Sequence, residues 1–133
     1  MTGRARLDGV HPDLVRLCEA LDAALQHSDA ACELAVVCGH RGEREQEAAY
    51  RAGRSKARFG ASAHNMTPSM AVDVAPMEGL AAIDWDVKGS AWRALLRLAR
   101  EVAWREGVNV DWRRSMFPGD EGHIELSGWR GRR

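Results

Sequence analysis

The run Ser62-Ala63-His64-Asn65-Met66-Thr67-Pro68-Ser69-Met70-Ala71-Val72-Asp73-Val74-Ala75-Pro76 decides how this chain is read. Its first half ends the segment 54–69, whose Gly, Ser, Asn, Thr and Pro content predicts a loop. Its second half, Met70 to Ala75, is apolar and β-branched at its centre, and predicts a strand stopped by Pro76. Asp73 interrupts that strand between Val72 and Val74. A carboxylate on an interior strand is costly to bury without a partner. Asp73 therefore needs a cation, either a metal shared with a residue such as His64 or an arginine such as Arg41 or Arg58.

Upstream, Pro12 stands at a helix N1 position, and Leu14, Val15, Cys18, Leu21, Ala24 and Leu25 keep one helical face, so a helix is expected over 12–27. Residues 33–38, Glu-Leu-Ala-Val-Val-Cys, predict a strand before Gly39, and residues 43–52 a second helix closed by Gly53. Downstream, 77–89 reads as irregular. Trp92, Leu95, Leu96, Ala99, Val102 and Ala103 mark a long amphipathic helix over 90–106, ended by Gly107. Val108 to Trp112 predicts a strand, 113–122 a loop with a Pro-Gly turn, and His123 to Leu126 a short strand. The mixed order of elements and the short strands predict an α+β fold, with about three helices on a small antiparallel sheet.

With 133 residues, one domain is expected, its core over about 10–126 and a basic tail over 127–133. Lys plus Arg equals Asp plus Glu at 19 each, so no net positive charge is available to wrap nucleic acid. No apolar run is long enough to span a bilayer, and stable membrane association is not expected. Met1 to Asp8 has basic residues without a following apolar stretch, so synthesis in the cytoplasm without a signal peptide is expected. Cys18, Cys32 and Cys38 are odd in number with no CxxC pair. They predict neither a disulfide framework nor a cysteine zinc clip and read as small core or near-surface residues.

Two further stretches carry chemistry. In Asp120-Glu121-Gly122-His123-Ile124-Glu125-Leu126, strand alternation puts His123 and Glu125 on one face and the two aliphatics on the other. Gly39-His40-Arg41 follows directly on the strand 33–38 and offers a fixed cation for a carboxylate-bearing ligand. Two histidines and an aspartate make a sensible catalytic zinc set, which leaves a position open for water. A nearby carboxylate, Asp120 or Glu121, would carry the proton. Spacing alone leaves open that the histidines are ordinary and that Asp73 pairs with an arginine.

The run Cys38-Gly39-His40-Arg41-Gly42-Glu43-Arg44-Glu45-Gln46, then Gly53-Arg54-Ser55-Lys56, then 62–76, resembles the phage-endolysin branch of the zinc D-Ala-D-Ala carboxypeptidases, which contains L-alanyl-D-glutamate peptidases. The family's S-x-H, A-V-D and D-x-x-H-x-E-L elements are all present, and Val10 to Leu14 resembles its start. The resemblance covers about residues 10–126. It implies His64, Asp73 and His123 as Zn2+ ligands, with the zinc site at the sheet, and Asp120 as the catalytic carboxylate. It puts Arg41 and Ser62 near the substrate, with Arg41 holding a carboxylate or the developing oxyanion. Gln46 matches a motif position and is expected to brace the Arg41 loop.

The implied activity is cleavage of the peptidoglycan stem peptide at the L-Ala–D-Glu bond by a monomer, as a phage or prophage endolysin that reaches the wall after release. A D-Ala-D-Ala carboxypeptidase or dipeptidase, or a metal-stabilised wall-binding module, is the alternative. The chain departs from the family pattern at Ser115 to Gly119, at Ile124 where an aromatic is usual, and at Gly122 where Pro is common, which would add flexibility before His123. Asp120 is favoured over Glu121 as base. Trp92 is expected in the core and Trp112 is a candidate cleft wall. His11, His27 and His40 read as structural or solvated, with His40 the nearest to a site. The tail from Trp129 to Arg133 reads as a frayed terminus or a patch for anionic wall polymer.

Overall fold

In the computed structural model, residues 1–79 and 82–132 are described, and the side chains of 131 and 132 are outside the description. Helix α1, Pro12–Gln26, starts where the His11 ring nitrogen accepts from the Asp13 amide and Pro12 supplies a preset φ. Its stripe of Leu14, Leu17, Cys18, Leu21 and Leu25 is buried. Helix α2, Glu43–Arg51, is short and mostly solvated, with Gln46 and Ala49 turned inward. Helix α3, Ser90–Glu106, buries Trp92, Leu95, Ala99 and Val102 and stops at Gly107, whose φ of 67° suits a residue without Cβ. Helix α1 packs against α3 and against strand β1, Glu33–Cys38, while α3 packs on strand β2, Ala71–Glu78. Trp92 is in the core, whereas Trp104 is 89% exposed.

The sheet is antiparallel throughout. Strand β2 is its centre, with β1 on one edge and both β3, Ala82–Ile83, and β4, His123–Glu125, on the other. Val72, Val74 and Ile124 share one face and join the core with the helices. Asp73 and His123 are register partners on the opposite face. Between Val36 and Cys38 the β1 register shifts by a bulge, which sets Cys38 opposite Asp73. Cys38, Asp73 and His123 thus form one row across three strands.

The α+β architecture, with three α-helices and a small antiparallel sheet, is the one expected. Four local readings are corrected. Pro76 does not stop its strand, because Leu34 and Pro76 are a pair whose polar groups face away from each other. The Leu34 amide donates to Asp22 and its carbonyl accepts from Thr2, while the Pro76 carbonyl accepts from Asp84. The missing proline N–H is therefore not required by β1. Residues 108–112 are not a strand: only Val110 bridges to Leu126, and Asp111 turns the chain through bonds to the amides of Arg113 and Arg114. The segment 77–89 is not wholly irregular, since it contains β3 and pairs back on β2. Leu80 and Ala81 within it lie outside the described residues, as does Arg133 of the basic tail. The tail does not fray at Trp129, which is 2% exposed and opens a 3-10 turn, Trp129–Arg132.

Candidate active site

His64 is delivered to the sheet by a 3-10 turn, Ala63–Asn65, closed by reciprocal caps. The Ser62 hydroxyl accepts from the His64 amide, and the Asn65 side chain accepts from the Ser62 amide. Asn65 also donates to the Arg41 carbonyl and to the Gln46 side chain, both at 3.0 Å. Gln46, fully buried, passes the brace on by donating to Ser55 and to the Ala57 carbonyl. The Arg41 amide donates to the His64 carbonyl at 2.8 Å. Gln46 and Asn65 together therefore tie the Arg41, 55–57 and 62–65 segments around the site.

The His64 Nδ1 lies 2.7 Å from the Gly39 carbonyl and its Nε2 3.2 Å from Asp73 Oδ1. Gly39 is required there, since a Cβ would meet the Arg6 carbonyl at 1.9 Å. His123 approaches the same Asp73 oxygen from β4, with Nδ1 at 2.9 Å, and its Nε2 lies 2.9 Å from Glu125 Oε1. Glu125 is buried, and its second oxygen accepts from the Trp129 indole. The two imidazole rings stand 5.2 Å apart between centroids.

Each histidine thus holds its outer nitrogen on an acceptor and aims its inner one at Asp73. That is how metal-bound histidines are oriented, with the outer N–H donated to a carbonyl or carboxylate. With both outer nitrogens donating, neutral rings would point two lone pairs at a carboxylate oxygen. Protons or a cation must sit there. Burial lowers the proton affinity of both rings, but the charge and hydrogen bonds of Asp73 overcome it, raising His64 to about 10 and His123 to about 9. Burial would raise the Asp73 carboxyl, yet the two histidines hold it well below the usual carboxylate range. The donor set fits a divalent cation. Asp73 joins two groups whose ligating atoms lie within 4.8 Å of one another, Cys38–His64–Asp73 and Asp73–Asp120–His123.

Asp120 ends the turn Phe117-Pro118-Gly119-Asp120, closed by its own amide on the Phe117 carbonyl. Pro at the second position and Gly119 at φ 92° at the third are the residues a type II turn requires. Loss of hydration raises the Asp120 carboxyl; His123 opposes this and Asp73 adds to it. Asp120 lines the cleft over Asp73, and Glu121 is not among the lining residues. Gly122 does not add slack before His123: a Cβ there would meet the Val74 carbonyl at 2.2 Å, and its own carbonyl accepts from the Val74 amide.

The cleft has a volume of about 680 Å³, and Arg41 and Ser62 line it together with His64, Asp73 and His123. The Arg41 Nε is buried with no hydrogen-bond partner among the described residues. His40 is exposed and outside the lining; Trp112, half-buried, is also outside the lining and packs at the core edge under the Arg100 guanidinium at 4.5 Å. Sequence reasoning left Cys38 out of the site. Its Sγ lies 3.9 Å from His64 Nδ1, and although burial raises the thiol, the histidine brings it below its ordinary value. No spacing could reveal this, because the β1 bulge creates the proximity. Trp129 as the brace of Glu125 was equally hidden.

No protein-family model matches the chain, and no curated protein matches it. Among solved structures, the chain is similar to the Serratia marcescens L-Ala D-Glu endopeptidase ChiX, with a TM-score of 0.73 and 28% identity, over 98% of this chain and 92% of that one. Fold and sequence together thus bear out the resemblance to the L-alanyl-D-glutamate peptidases of the zinc D-Ala-D-Ala carboxypeptidase family.

Proposed function

We propose that this protein is a zinc-dependent peptidoglycan peptidase that cuts the stem peptide between L-Ala and D-Glu. The observation that carries the reading is the pair of braced histidines converging on one Asp73 oxygen, in a cleft of a chain similar to an L-Ala D-Glu endopeptidase. His64, Asp73 and His123 would hold the ion. When bound, zinc supplies Lewis acidity toward a peptide carbonyl and a nucleophilic water at neutral pH.

The remaining chemistry belongs to the chain. Asp120, its carboxyl raised by lost hydration, takes a proton from the attacking water and delivers it to the leaving amine. Arg41, with an unpartnered Nε, meets negative charge on the substrate or on the tetrahedral oxygen. Ser62 keeps His64 in place through its amide and lines the substrate side of the cleft. The enzyme would act as a phage or prophage endolysin, made in the host cytoplasm and reaching the wall after release.

Digestion of purified wall tests the reading. A new amino-terminal D-Glu, abolished by chelator and restored by zinc, is the expected product. Loss of terminal D-Ala alone would identify a carboxypeptidase instead, and no product from the zinc-loaded protein would leave a binding module.

A further inference from the structure

The outer face of α3 is turned away from the core and lines no part of the cleft. Its inward stripe, Trp92, Leu95, Ala99 and Val102, is buried, whereas Arg93, Arg97, Arg100 and Trp104 are exposed. Spacings of four, three and four put those four side chains in one line along the helix. At 1.5 Å per residue the line is roughly 16 Å long.

The line keeps most of its positive charge. Among the described residues, Arg93 and Arg100 make no ion pair with a carboxylate. Arg93 donates to the Lys88 carbonyl at 2.8 Å, and Arg100 lies over the Trp112 ring at 4.5 Å. Both contacts hold the side chain and leave its charge. Arg97 meets Glu101 at 3.4 Å, in a pair more than half exposed on both sides and therefore weak. The other acid of α3, Glu106, reaches Arg16 on α1 and the neighbouring Arg105.

Trp104 completes the line and is 89% exposed, more than any other large hydrophobic side chain among the described residues. Arginines lie over Tyr50, Trp112 and Trp129, and among the described residues none lies over Trp104. A bare indole in a row of guanidinium groups suits a bilayer surface, where the ring sits at headgroup level and cations meet lipid phosphate.

We propose that the outer face of α3 seats this protein reversibly on an anionic phospholipid surface. Arg93, Arg97 and Arg100 meet lipid phosphates, and Trp104 enters the headgroup layer. Charge selects the occupant, because a chain of zero net charge presents this line with only Glu101 against it. Shape separates a bilayer from a soluble polyanion: a straight line on a convex helix touches a plane along its whole length and encloses nothing. The contact is peripheral, and among the described residues no helix is long and apolar enough to cross a membrane. The helices cover one face of the sheet and Asp73 is on the other, so a seated molecule keeps its cleft turned away from the bilayer. The proposal does not depend on the peptidase reading.

The test is sedimentation of the full zinc-loaded chain with vesicles of one part phosphatidylglycerol to two of phosphatidylcholine, and with vesicles of phosphatidylcholine alone. Binding is expected to the anionic vesicles only, and should fall with added NaCl. Each arginine near such a surface is worth about fivefold, so Arg93→Gln combined with Arg100→Gln should weaken binding roughly 25-fold. Bromine-labelled lipid should quench the tryptophan fluorescence of the wild type and lose most of that effect in Trp104→Phe. Both variants change exposed side chains, and should keep the wild-type Tm and wall digestion. Equal binding to the two vesicles, quenching that survives in Trp104→Phe, or unchanged binding of the arginine variant would overturn the proposal. So would tighter binding of soluble polyphosphate than of the anionic vesicles, which would make the partner a polyanion.

Discussion

Asp73 is the residue on which the others converge. His64, His123 and Cys38 reach it from a loop and two strands, and the outer nitrogens of the histidines are spoken for by Gly39 and Glu125. His64→Ala and His123→Ala should lose bound metal and activity together, measured by metal analysis alongside wall digestion. Asp120→Ala should keep its metal and lose activity by roughly 10²–10⁴-fold, the usual contribution of a positioned acid–base group. If Glu121→Ala is the inactive variant instead, the proton carrier is misassigned. Glu125→Gln changes the acceptor that orients His123, and should weaken metal affinity by about 10–100-fold in a competition with a chelating dye.

The titrations around Asp73 also set the pH dependence of the chelated protein. Its carboxyl is lowered from 3.8, and the histidines are raised from 6.5 to about 10 and about 9. The stabilisation from Asp73 is present above pH 3.8 and lost as pH falls through its depressed folded value. That from the histidines is complete below pH 6.5 and lost as pH rises through 9 to 10. The urea midpoint of the chelated protein should therefore fall between pH 6 and pH 9. A flat or rising midpoint would show that protons do not bridge these groups.

Among the elements, β2 and β4 fix the site by register. Asp73 opposite His123 is a ladder fact, and a slip of β4 by one residue would send His123 to the helix face. Gly122 keeps that register, because its carbonyl bonds to the Val74 amide where no Cβ fits. Gly122→Ala should cost roughly 1–3 kcal/mol in urea unfolding and reduce metal affinity, since β4 must move to relieve the contact. The β1 bulge acts on the other side of β2 by bringing Cys38 opposite Asp73. Helices α1 and α3, by contrast, were readable from their apolar periodicity to within a residue at each end. The strand beyond Pro76 was not, because whether a proline ends a strand depends on which edge its missing N–H faces.

At the scale of the whole molecule, the helices bury one face of the sheet and leave the opposite face to the cleft. Leu21 on α1 is fully buried in the core shared with α3. Leu21→Ala should cost about 2–5 kcal/mol while leaving wall-cutting activity near wild type at low temperature, because it is far in the fold from the cleft lining. Selective loss of activity without loss of stability would mean that the helical layer does more than support the sheet.

The sequence by itself determined the α+β class, the three helices and the strands around Asp73 and His123. Those follow from local periodicity and strand alternation, which are properties of neighbours along the chain, whereas the residues expected at the site were legible only through the resemblance of their motifs to a known family. Only the tertiary structure decided that Glu125 and Gly39 orient the two histidines, that Trp129 is buried against Glu125, and that Cys38 joins the row beside Asp73. Each of these depends on register, a bulge or a backbone contact between residues distant in sequence. Such geometry is set by how the layers pack, and no spacing along the chain encodes it.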